Sequence, residues 1–151
     1  MIVRKAIPKD FEAVREIDRE FFVWACKINP WLDPDYVKVR HGPDFRKSFF
    51  DRKEVFFVAE DDGKIVGYSE GIIENLPSPF KNKKVGVLES LYIIKEYRSQ
   101  GLGERLSREV LKWLKSRGIK EYKLTVHHAN ATAYRLYKKM GFKDYFWSLR
   151  M

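Results

Sequence analysis

Arg98-Ser99-Gln100-Gly101-Leu102-Gly103 lies between two stretches of different periodicity. Residues 85–94 before it are nearly continuously apolar, as in a central strand. Residues 102–117 after it repeat Leu102, Leu106, Val110 and Leu114 at helical spacing. Two glycines at a strand-to-helix turn let the backbone approach a ligand closely. The first N–H groups of the helix have no intrahelical partners and carry the positive end of its dipole. Such a turn is an anion cradle suited to a pyrophosphate.

Outward from this turn the chain reads as a layered α+β structure. Residues 2–7 alternate as a strand, and Pro8-Lys9-Asp10 opens a helix with a stripe of Phe11, Val14, Ile17, Phe21 and Ala25. Residues 26–53 are irregular, with room for a short second helix. Residues 55–59 and 65–74 form a hairpin across Asp61-Asp62-Gly63-Lys64. Beyond the second helical run, ended by Gly118, come a strand over 123–127, a helix over 131–140 ended by Gly141, and a final strand over 145–149. The predicted order is β-α-(α)-β-β-β-α-β-α-β. Its 151 residues, without a repeat or linker, are expected to form one domain over 1–151.

Cys26 is the only cysteine, so the chain has no internal disulfide and no multi-cysteine metal site. There is no apolar run of membrane-spanning length and no signal-peptide pattern at Met1, so a cytoplasmic protein is expected, with no membrane partner. Its net charge of +9 is unevenly placed. Residues 1–94 carry 16 Lys and Arg against 16 Asp and Glu, and residues 95–143 carry 13 against 4. A solvated basic face and a field favouring a polyanionic ligand both fit this. No nucleic-acid motif accompanies the charge, so specific nucleic-acid binding is not expected.

A second pattern, Asn130-x-x-Ala133-x-x-x-Tyr137-x-x-x-Gly141-Phe142, follows the glycine turn by about thirty residues. With Glu96-Tyr97 leading into Arg98, Gly101 and Gly103, the chain resembles the GNAT superfamily of acetyl-CoA-dependent N-acetyltransferases, whose loop reads Gln/Arg-x-x-Gly-x-Gly/Ala. The resemblance covers essentially the whole chain and implies a mixed, mostly antiparallel central sheet flanked by helices. It implies acetyl-CoA as acyl-donor cosubstrate and no metal. Backbone groups of Leu91, Tyr92 and Ile93 would hold the pantetheine arm like an added strand. The turn of Arg98, Ser99, Gln100, Gly101, Leu102 and Gly103, with Glu104 opening the helix, would hold the pyrophosphate. Asn130 would touch the cofactor arm, cap its helix, or both.

Acetyl transfer to an amine requires loss of an ammonium proton, a donor to the thioester oxygen, and stabilisation of the leaving thiolate. By resemblance Tyr137 is the acid; by helical position alone it is a core aromatic. Glu89, a carboxylate inside an apolar strand, is the candidate base, on the expectation that burial raises its pKa; a structural ion pair or a solvent-facing edge position is the alternative. The oxyanion donor would be a backbone N–H of this strand, such as that of Ile93. His127 and His128 read as ordinary surface or hydrogen-bonded residues, and Cys26 as a small buried one.

The acceptor is left open among a protein N-terminus, a lysine, a polyamine, an amino acid and an aminoglycoside. Residues 24–50 and 75–84 are where the family sets this choice, and the aromatics there, such as Trp24 and Trp31, are expected to pack helices. Glu89-Ser90 resembles the acidic pair of polyamine acetyltransferases, with serine in place of the second acid. A non-catalytic acyl-CoA sensor on the same fold is the rival reading, and a basic nucleic-acid-binding protein a weaker one. The family's frequent dimers leave room for a homodimer through residues 145–149.

Overall fold

The computed structural model describes residues 1–40 and 42–151. Five strands, β1 (Ile2–Lys5), β2 (Glu54–Asp61), β3 (Lys64–Asn75), β4 (Lys84–Ile93) and β5 (Tyr122–Lys123), form one sheet in sequence order. The first three pairings are antiparallel and the β4–β5 pairing is parallel. Helices α1 (Phe11–Ile28), α2 (Tyr36–Arg40) and α3 (Pro43–Phe50) precede β2, α4 (Leu102–Ser116) joins β4 to β5, and α5 (Ala131–Lys139) follows. This is the mixed, mostly antiparallel sheet flanked by helices that the sequence implies. No helix among the described residues is long and apolar enough to cross a membrane.

The β2–β3 connection uses Asp62 at φ 47° and Gly63 at φ 79°. Two left-handed residues give the tight turn whose twist matches that of a hairpin. Arg4 binds Asp10 at 2.6 Å and Glu60 at 2.5 Å, so one guanidinium ties β1 to the entry of α1 and to β2. That ion pair holds the Asp10 carboxyl below the usual carboxylate range.

Two apolar layers flank the sheet. On one face Phe11, Val14 and Ile17 of α1 and Phe45 of α3 pack on Phe56, Val58 and Tyr68. Asp18 lies on the same buried face and accepts a hydrogen bond from the Tyr68 hydroxyl. On the other face Leu102, Leu106, Val110 and Leu114 of α4 pack on Val55, Phe57, Val66 and Leu88. Here α4 sits close because two strand positions lack a side chain. A Cβ on Gly71 would lie 2.4 Å from Val110 Cγ1, and one on Gly86 would lie 2.6 Å from Leu114 Cδ1.

Three expectations need correction. The strand predicted over 123–127 is paired only at Tyr122–Lys123. The strand predicted over 145–149 is absent from the sheet, with Tyr145 88% and Trp147 78% exposed. Its largely apolar run finds no ladder to join, because β5 is two residues long. Finally, Phe21 and Ala25 are not in the core; the α1 stripe runs past the sheet's packed face, and its second half lines a cleft.

Gly71→Ala is expected to destabilise the protein by about 1–3 kcal/mol through overpacking against Val110. Urea unfolding will measure it, and Val110→Ala in the same chain should recover most of the loss. Additive losses in the double variant would contradict this packing.

Candidate active site

β4 pairs with β3 along its length but with β5 only at Gly86–Tyr122 and Val87–Lys123. The β3–β4 register slips between Glu70 and Gly71: Ser90 faces Glu70 and Leu88 faces Gly71, leaving Glu89 as an extra residue. A bulge of this kind bends a strand and increases its twist. Among the described residues no backbone hydrogen bond joins 88–93 to 124–127. The strands therefore part, and a cleft of about 140 Å³ opens between them. Leu88, Glu89 and Leu91 line one side and Val126, His127 and Tyr137 the other, while Phe21 and Trp24 of α1 line it as well.

At the C-terminal end of β4 the chain makes a single 3-10 turn over Lys95–Tyr97. Ser99 then adopts φ 62° and Gly101 φ 75° before α4 begins at Leu102. A Cβ at Gly101 would meet nothing within 4 Å, so glycine serves the left-handed backbone there. At Gly103 a Cβ would lie 3.2 Å from Leu136 Cδ2, so the missing side chain lets α5 come close. The first backbone bond of α4 runs from Arg105 N–H to the Gly101 carbonyl at 3.1 Å. The N–H groups of Leu102, Gly103 and Glu104 precede it and lack helical partners. Glu104 would repel an anion, but it is ion-paired with Lys139 at 2.8 Å and Arg108 at 2.7 Å. Those hydrogen bonds, Lys139's first, hold its carboxyl below the usual range.

Arg98 has a different task from the glycines. Its N–H donates to the Lys95 carbonyl at 3.3 Å, and its Nε donates to the Ile93 carbonyl at 2.8 Å. Its guanidinium lies 5.1 Å from the centre of the Tyr92 ring. Arg98 thus braces the turn against the end of β4. The Ile93 carbonyl is thereby occupied.

Tyr137 is a core aromatic, as its helical position alone implies, and it also reaches the cleft. It is 9% exposed, belongs to the α4-side core, packs edge-on to Phe142 at 5.8 Å, and still lines the cleft. Burial pushes its phenol up to about 12, with the neighbouring Ser107 hydroxyl opposing the shift. Asn130 caps α5, accepting from Ala133 N–H at 3.2 Å, and also lines the cleft. Glu89 lines the cleft but is exposed rather than buried, so the expectation of a base tuned by burial is overturned. The bulge that singles Glu89 out also turns it to the opening. His127 lines the cleft as well, and its Nδ1 accepts from Ala129 N–H at 3.2 Å. A neutral ring whose Nδ1 accepts carries its proton on Nε2 and can donate there. Among the described residues no group of three His, Cys, Asp or Glu is placed to hold a metal ion.

The sequence pattern of the acetyltransferase (GNAT) family matches residues 11–142. The chain belongs to that family. It is similar to a mycothiol acetyltransferase of Amycolatopsis mediterranei, with 33% identity over 93% of this chain and 45% of that protein. It is also similar to a spermidine N(1)-acetyltransferase of Thermoplasma acidophilum, with 30% identity over 93% of this chain and 87% of that one. The chain thus spans less than half the length of the mycothiol enzyme. Among solved structures, a predicted acetyltransferase with acetyl-CoA from Clostridium acetobutylicum shares the fold at TM-score 0.78. That likeness covers 99% of this chain and 94% of the other, at 22% identity.

Tyr137 yields an alkaline stability prediction. Its unfolded phenol ionises near about 10 and its folded phenol near about 12. The neutral form is the one buried, so the stabilisation is complete below about pH 10 and is lost as pH rises towards 12. The loss should reach about 3 kcal/mol. Urea titrations from pH 9 to 12 should show this fall in the wild type and its absence in Tyr137→Phe. Parallel profiles would show that the phenol is not buried.

Proposed function

We propose that this protein transfers an acetyl group from acetyl-CoA to a primary amine in a ternary complex. The parted β4 and β5 strands are the observation that carries the reading. Their gap opens a backbone edge that an extended amide-bearing arm can pair with, and it ends at a turn with three unpartnered N–H groups. The thioester supplies an acetyl carbon at which the amine nitrogen forms its bond while the carbon–sulfur bond breaks. The amine loses one proton and the sulfur gains one.

Glu89 faces the cleft where an ammonium would arrive. Exposed at the opening, Glu89 stands where water also reaches. The role that fits is to draw in the cation and hand its proton to water in the open cleft. A backbone N–H on the open side of β4 meets the charge developing on the carbonyl oxygen. Tyr137 stays protonated and donates a hydrogen bond to the departing sulfur. A thiol near about 8.5 is the stronger acid by some three to four units, so the phenol assists by hydrogen bonding more than by full proton transfer. Leu91 and Tyr92 offer their backbone to the arm, Gly101, Leu102 and Gly103 offer theirs to the pyrophosphate, and Arg98 keeps the two in register.

Thiol release from acetyl-CoA, measured against a panel of amines, tests this. Acceptor-dependent release should fall about 100-fold in Tyr137→Phe, with acetyl-CoA affinity nearly unchanged. Bound acetyl-CoA without release for any amine would favour a sensor; absence of binding would remove the donor from the proposal.

A further inference from the structure

The acceptor side of the cleft has a definite chemical character. Phe21, Trp24, Ala25 and Ile28 recur at i, i+3, i+4 and i+7 along α1, and Leu32 follows in the turn beyond it. All five line the cleft and none belongs to the buried core of either face. The rings are held in place: Phe21 stacks with Trp24 at 6.2 Å, and Tyr92 meets Phe21 at 5.8 Å and Trp24 at 6.5 Å. An apolar wall fixed in this way and still lining a cleft is suited to cover by a ligand.

Charge is sparse in the same place. Among the described lining residues Glu89 is the one carboxylate, and there is no Lys or Arg. Glu54, close enough to feel the charge of Glu89, lies outside the lining and accepts from Ser48 at 3.3 Å. A monocation can place its ammonium at Glu89. A polyamine or aminoglycoside would bring further ammonium groups against Trp24, Ile28 and Leu32, where they would lose water without gaining a counter-charge.

Resting on the acetyl-transfer reading, we infer that the acceptor is a monovalent primary amine borne next to a bulky apolar or aromatic group. Its ammonium meets Glu89 and its apolar part lies on Trp24, Phe21 and Ile28. This class differs from the spermidine named for the Thermoplasma relative.

The test compares 2-phenylethylamine with spermidine and with ethanolamine, which presents one ammonium and no apolar body. Calorimetry measures binding to the CoA-saturated protein, and thiol release measures kcat/KM. Phenylethylamine should exceed both others by about tenfold or more in each readout. Trp24→Ala should collapse that preference mainly through KM, and Trp24→Phe should restore most of it, which a folding defect would not allow. A preference for spermidine, or a Trp24→Ala loss equal for all three amines, overturns the inference. Selective binding of phenylethylamine without any acetyl transfer would support the wall's assignment and sink the acetyl-transfer reading instead.

Discussion

Beyond Val87, β4 has a hydrogen-bonded neighbour on one side only. Backbone N–H and C=O groups rarely stay unpaired away from water, so a half-paired central strand must be solvated or matched by a ligand. Three local features accompany the gap. Gly86 lets Leu114 press α4 onto the sheet, the extra residue at Glu89 bends β4, and β5 ends after Lys123. The cleft, the exposure of Glu89 and the accessible flank of Tyr137 all follow from that separation.

The two ends of the cleft are mechanically joined. Arg98 in the glycine turn holds the Ile93 carbonyl and lies over Tyr92, and Tyr92 in turn packs on Phe21 and Trp24. A ligand that shifts the turn therefore bears on the α1 wall through contacts already made. At the other flank Lys139 of α5 reaches Glu104 in the first turn of α4. The helix carrying Tyr137 is thus tied to the helix that opens at the glycine turn.

Much of this was legible in the residues. Asp62-Gly63 marked the hairpin, Asn130 the start of α5, and Gly101 the left-handed turn, because each encodes its geometry locally. What remained hidden depends on partners distant in sequence. Periodicity identified the stripe of α1 but could not say where core gives way to cleft, so Phe21 and Ala25 read as buried. A carboxylate in an apolar strand reads as buried unless the register slip between Glu70 and Gly71 is known. Residues 145–149 have a strand's aromatic composition, but pairing is a property of the neighbour, and β5 offers too little to pair with. The bracing by Arg98 had no local signal, since a basic residue leading a glycine turn reads as a ligand contact.

The open side of β4 is also an exposed strand edge, set in a particular place. An unpaired strand edge is a template for another chain's strand, and proteins protect such edges by shortening, charging or covering them. At one margin of this sheet β1 is only four residues long and carries Arg4 and Lys5. The longer unpaired stretch, 88–93, is recessed in the wedge between β4 and the segment 124–127, with α1 lining it too. A recess walled on both sides leaves less room for a strand still attached to its own sheet than for a lone extended molecule. The recess thus sets the open hydrogen-bonding groups of β4 back from the strand edges of other proteins.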